Sequence, residues 1–148
     1  MKARGRWFDE LAAGESFESS VTFTEAHLML GAGYVADFNP LHVDEEFAKR
    51  SRFGGRILHG MLTSALMGGP VGMHFHGTAI AYLEHNARFL APVRPGDTLT
   101  LAWQVTGLVP KPAHQGGVVE LAGTATNQAG VVAAQATGKI MVYARPAA

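Results

Sequence analysis

The chain has 148 residues, 47% of them apolar, enough to bury the core of one domain spanning 1–148. Twelve basic and twelve acidic residues cancel, so the electrostatic footprint of a nucleic-acid binder is missing, and without cysteine there is neither a disulfide framework nor thiolate chemistry. No run approaches the roughly 18 apolar residues that cross a bilayer, and the opening ten residues carry positive charge with no apolar block behind it, so no membrane association is expected and the expected location is the cytoplasm.

In chain order, residues 1–16 read as an irregular lead-in whose Trp7, Phe8 and Leu11 pack onto the domain, closed by a turn at Gly14. Phe17, Val21 and Phe23 alternate with polar residues, a strand pattern. Thr24 is placed as a helix N-cap, with Glu25 where negative charge suits the helix dipole. The helix from Glu25 to about Val35 contains Gly31 and Gly33, which predicts a short or irregular one. Pro40 ends it, because the residue before a proline avoids the α region, so Asp37–Pro40 is read as a helix exit into a turn. Asp44 caps a further short helix over 44–48. Lys49, Arg50 and Arg52 form a basic patch, and Gly54-Gly55 a flexible corner.

From Met61 to about Phe75 the pattern is helical, with Met61, Leu62, Ala65, Leu66 and Met73 as its apolar surface. Gly68, Gly69 and Pro70 predict a kink or an early end. After Gly77 the period becomes two. Strands are expected over 78–83, 88–93 and 98–105, a turn at Pro95-Gly96-Asp97, and a Pro- and Gly-rich loop over 109–117. Strands 118–126 and 131–143 join in a hairpin at Asn127–Gly130; in the second, Gln135, Thr137 and Lys139 face away from Ala134, Ala136 and Ile140. Early helices followed by consecutive strands give an α+β fold whose antiparallel sheet bends around one long helix.

Asp37 and His42 are the sharpest candidates for chemistry. A turn at Asn39-Pro40 brings carboxylate and imidazole to one small space, where they can hold a water between a proton acceptor and a proton donor. By spacing alone the plainer reading is that Asp37 caps a turn and His42 donates to a backbone carbonyl. Gly60 precedes the apolar helix, so its N–H is an unpaired helix-start donor that can polarise a carbonyl, and glycine permits close approach. Asn39 braces the turn and His59 orders the loop. His74 and His76 have metal-pair spacing but lack further ligands nearby, and are read as loop histidines; no metal is expected. Arg88, Arg94, Lys111 and the 49–52 patch are candidates to meet a phosphorylated ligand, with solvated surface the plainer reading.

The run Asp37-Phe38-Asn39-Pro40-Leu41-His42, followed by His59-Gly60-Met61, resembles the hydratase 2 motif of the MaoC-like dehydratase family, which includes the (R)-specific enoyl-CoA hydratases. Trp7–Leu11 with Gly14, and Phe89–Asp97, resemble further stretches of that family, so most of the chain is covered. The resemblance implies a hot-dog fold, a homodimer or assembly of dimers with a continuous sheet, and active sites near the subunit interface. It makes Asp37 and His42 the dyad that activates water and Gly60 the amide that binds the thioester carbonyl. The implied reaction is syn addition of water to a trans-2-enoyl thioester, giving the (R)-3-hydroxyacyl product, with CoA or an acyl carrier as part of the substrate and no other cofactor. One departure stands out. Where hydratases of the family often carry Ser on the central helix, this chain has Gly68, which is expected to alter how the acyl group is held. A non-catalytic acyl-thioester-binding module and a hot-dog thioesterase are the alternatives.

Overall fold

The computed structural model describes residues 5–146; the first four residues of the lead-in lie outside them. Strand β1 (Ser16–Thr22) leads into helix α1 (Glu25–Val35), two short helices α2 (Pro40–Val43) and α3 (Glu45–Arg50), and the long helix α4 (Gly60–His74). Four strands complete the chain: β2 (Ala79–Phe89), β3 (Thr98–Lys111), β4 (Gly116–Asn127) and β5 (Val132–Tyr143). All pair antiparallel in one five-stranded sheet of order β1-β3-β4-β5-β2, and α4 packs against every strand.

The alternation read from the sequence decides the two faces of this sheet. Leu99, Leu101, Trp103 and Val105 of β3 are buried, as are Leu121 and Ala125 of β4 and Ala134, Ala136 and Ile140 of β5. Each large apolar side chain removed from water in this way contributes about 1.5–3 kcal/mol. Trp103 places its indole in the core and satisfies its N–H on the Met67 carbonyl of α4, 2.9 Å away. The core is thereby pinned to the helix by a directional bond as well as by packing.

Several expectations change. The two strands expected over 78–83 and 88–93 are one continuous strand, β2. It is an edge strand that pairs only with β5 and carries two bulges, so its apolar alternation lapses over Glu84–Asn86 while the backbone pairing continues. The expected loop over 109–117 is mostly sheet: β3 runs through a bulge at Val105–Gly107 to Lys111 and returns at Gly116 after one 3₁₀ turn. Helix α4 neither ends nor breaks at Pro70. Its buried face is Thr63, Met67, Pro70 and Val71, a spacing of four, three and one that brings Pro70 onto the core side. Met61, Ala65 and Met73, expected inside, are exposed.

Helix α1 is also regular despite its glycines. A Cβ on Gly31 would lie 2.0 Å from Leu62 Cδ1, so that glycine lets α1 sit directly on the first turn of α4. The helix ends at Ala36, whose left-handed φ of 54° turns the chain sharply, while the Asp37 N–H still bonds the Ala32 carbonyl. His74 closes the far end of α4, stacked on Phe17 with ring centroids 3.9 Å apart, and His76 is exposed in the turn beyond.

Two predictions follow from this packing. A Cβ on Gly123 would lie 2.5 Å from the Trp103 ring, which the Met67 bond holds in place. Gly123→Ala is therefore expected to cost about 1–3 kcal/mol in chemical denaturation, the usual scale of overpacking. Burial lowers the pKa values of His74 and His85, with Glu15 opposing the shift at His74. The unfolded chain then takes up protons first, so stability is complete above the ordinary imidazole pKa of about 6.5 and falls as pH drops below it. His74→Phe, which keeps the stack on Phe17, should flatten the fall in urea midpoint on acidification.

Candidate active site

The site forms where the end of α1 meets the start of α4. The turn at Ala36 delivers Asp37 to this junction. Asn39 then caps α2, its side-chain oxygen accepting from the Leu41 N–H at 3.1 Å, with Pro40 in the first helical position. The expected turn at Asn39-Pro40 is thus the start of a single helical turn, which carries His42 back toward Asp37. Asp44 caps α3 by accepting from the Phe47 N–H at 2.9 Å. Arg56, largely buried, donates to Glu45 of α3 and Glu25 of α1, each at 2.8 Å, and ties the loop to both helices. The hydrogen bond to Glu45 is the main reason its guanidinium is held more firmly in the charged form.

Two imidazoles stitch the loop closed. His42 Nδ1 lies 2.8 Å from the Ile57 carbonyl, and His59 Nε2 lies 2.8 Å from the Asp37 carbonyl. A carbonyl only accepts, so each of these nitrogens carries the proton. The rings stack with centroids 3.7 Å apart and 26° between their planes. His42 then presents Nε2 to Asp37, 3.9 Å from Oδ2; the His42 side chain is 12% exposed and that of Asp37 51%. The other carboxylate oxygen, Oδ1, accepts from the Asn39 N–H at 3.1 Å. A gap of 3.9 Å is too long for a direct hydrogen bond and has the length that a single water within about 2.8 Å of both atoms can span.

Gly60 is the first residue of α4, and its N–H has no acceptor among the described residues. A Cβ there would lie 2.9 Å from the ring of Phe89, so the close approach of the end of β2 favours glycine at this position. Gly60 and Phe89 line a cavity of about 390 Å³ with Leu58, Thr63, Leu90 and Val93, and Arg52 on its wall. Neither Phe89 nor Ile57 is marked in the sequence by a polar or catalytic residue type, and both are evident only from the geometry.

The sequence-derived site residues do not all converge. Asp37, His42, Asn39, His59 and Gly60 do. Gly68 faces open space, with nothing within 4 Å of where its Cβ would be, and it lines neither cavity. Arg88 lies away from the dyad, on the outer face of the sheet, in line with Glu18, Ala102, Thr124 and Gln135 across the strands. These residues border a larger hollow of about 760 Å³ that shares no residue with the dyad or the Gly60 cavity. The smaller cavity is the one beside the chemically competent groups. In the basic patch Lys49 pairs with Glu46 at 3.2 Å, and Arg52 lies 5.5 Å over Phe53.

Asp37, His42 and His59 each place one ligand-type atom within 4.8 Å of the others. Stacked rings direct their in-plane lone pairs side by side, and one nitrogen of each is already bonded to a carbonyl. The trio therefore suits hydrogen bonding better than a shared ion. His74, whose Nε2 is 3.8 Å from Glu15, belongs to the opposite end of α4.

Gly60→Ala is expected to cost about 1–3 kcal/mol by driving Cβ into Phe89. Gly60→Ala combined with Phe89→Ala should recover most of that loss, a non-additivity measurable by urea denaturation of the single and double variants.

Residues 10–129 match the model of the MaoC like domain. The (R)-specific enoyl-CoA hydratase of Rhodospirillum rubrum is 38% identical over 105 residues, covering 71% of this chain and 73% of that one. Among solved structures, an R-hydratase from Pseudomonas aeruginosa in the unliganded form superposes with a TM-score of 0.83 at 31% identity, covering 94% of this chain and 86% of that one. A Mycobacterium tuberculosis protein described as a double hotdog fold superposes with a TM-score of 0.85 at 23% identity, covering 96% of this chain and 45% of that one, a likeness of fold alone. The sheet wrapped on α4 is accordingly a hot-dog fold, and the chain belongs to the MaoC-like dehydratase family, whose matched relatives are hydro-lyases.

Proposed function

We propose that the protein reversibly hydrates a trans-2-enoyl thioester, of CoA in the first instance, to the (R)-3-hydroxyacyl thioester. The observation that carries this reading is Asp37 Oδ2 facing His42 Nε2 across 3.9 Å, at the junction where α4 starts with Gly60, whose N–H has no acceptor among the described residues. The Ile57 carbonyl fixes the proton on His42 Nδ1, so Nε2 and the carboxylate are the two acceptors that a bridging water meets. Both water protons then point at the dyad and a lone pair points at the substrate.

The thioester oxygen takes the Gly60 N–H at the positive end of α4. Water oxygen attacks C3, the C2–C3 π pair moves to an enolate on that oxygen, and the dyad accepts the proton that water loses. When the enolate collapses, the dyad returns a proton to C2, so H and OH add from one side. The two groups face one water, so both proton transfers are assigned to the pair. The cavity of about 390 Å³ lined by Phe89, Leu90 and Val93 takes the apolar acyl group.

A homodimer in the cytoplasm completes the proposal. Strand β2 pairs on one side only, and exposed Tyr82, Leu83, Phe89 and Leu90 lie along or beside it, with Met61 and Met73 exposed on α4. Joining two β2 edges satisfies the open backbone groups and covers these side chains. No helix among the described residues is long and apolar enough to cross a membrane.

Purified protein should remove the conjugated-thioester absorbance of crotonyl-CoA. Asp37→Asn and His42→Gln, each at unchanged circular dichroism, should lower kcat by about 10²- to 10⁴-fold, the range of general acid–base catalysis. Unchanged rates in both variants would overturn the assignment, and release of free thiol would mark a thioesterase instead.

A further inference from the structure

We propose that His59 is the positioning residue of the dyad, holding the ring plane of His42 and the backbone of Asp37 at the same time. The consequence for rate rests on the hydration reading above. His59 is 2% exposed and occupies the N-cap position of α4, yet its side chain makes no cap bond. Ser or Asp at that position would cap the helix. Its Nε2–H is committed to the Asp37 carbonyl, which leaves Nδ1 as a buried acceptor with no partner among the described residues. Such an orphan is destabilising, so neither packing nor capping accounts for an imidazole here.

What an imidazole alone provides at this point is a flat face joined to a donor at its far edge. The face lies 3.7 Å from the His42 ring. The donor reaches the peptide carbonyl of Asp37. His42 has one other anchor, the bond from Nδ1 to Ile57, and a ring held at one atom can still swing. A swing changes the distance from Nε2 to Asp37 Oδ2, which the reaction requires to match one water. Gln keeps the donor and lacks the face; Phe keeps the face and lacks the donor.

The test compares His59→Gln and His59→Phe in the full chain. Each should lower kcat on crotonyl-CoA by about 10- to 100-fold, the scale of an ångström-level misplacement. KM should change by no more than about twofold, because substrate binding is untouched. The Tm of the Phe variant should stay close to that of the wild type, since the orphan nitrogen and the bond to the Asp37 carbonyl are removed together. In imidazole NMR spectra the His42 ring protons should move in the Gln variant, where the neighbouring ring current is lost, and stay near their wild-type shifts in the Phe variant. Wild-type kcat in both variants, a loss of kcat matched by a loss of Tm, or unmoved His42 resonances in the Gln variant each overturns the proposal. If one variant does not fold, the other decides. A wild-type protein that hydrates no enoyl thioester refutes the hydration reading instead, and the spectra still judge the positioning role.

Discussion

Two hydrogen bonds from imidazoles to backbone carbonyls close the loop between α1 and α4. His42 reaches forward to Ile57, and His59 reaches back to Asp37. Each bond fixes a tautomer as well as a position, because a carbonyl can only accept. The free nitrogen of His42 is thereby aimed at Asp37, and the stack of the two rings sets its direction. Without these bonds the stretch from Asp37 to Gly60 would be an exposed loop holding a carboxylate and an imidazole at no defined separation.

The scaffold makes this closure possible through close approach rather than through charge. Gly31 lets α1 lie against Leu62, which fixes where α1 ends relative to where α4 begins. Ala36 adopts a left-handed conformation unusual for a residue with a Cβ, and the sharp turn it makes presents Asp37. At the other side Gly60 touches Phe89, so the helix start also touches the end of the edge strand. The sheet holds α4 in register through Trp103 and its bond to Met67. The Gly60 N–H, which has no acceptor among the described residues, an apolar cavity and the Asp37–His42 pair therefore gather at the start of one helix.

The bland and the functional readings of Asp37 and His42 turn out to be compatible. Asp37 does brace a turn, through Oδ1, and His42 does donate to a backbone carbonyl, through Nδ1. A carboxylate has two oxygens and an imidazole two nitrogens. One atom of each is spent on structure, and the structural bonds orient the atom that is left. Arg88 and Gly68 are the contrast. Both were singled out by residue type or by position in a family pattern, and neither lies at this junction. Nothing in a linear sequence distinguishes the two faces of an edge strand whose alternation is interrupted by bulges.

Local chemistry made the caps, the central helix and most of the alternating strands legible: Asp44 and Asn127 act where short polar side chains satisfy nearby N–H groups, Thr24 stands at the N-cap of α1 with its own N–H donating to His27 Nδ1, and β3 and β5 alternate because one face is buried. The motif from Asp37 to Gly60 named the residues that converge where α1 meets α4. The sequence did not reveal that β2 is one strand, that Pro70 lies inside α4, or that Met61 and Met73 face outward. Those outcomes depend on which neighbour each residue meets, and hydrophobicity alone does not say. Sequence by itself determined which groups could do the chemistry, because their identities are local. Tertiary structure decided their separation, their tautomers and the cavity beside them, because those come from contacts between segments distant in the chain.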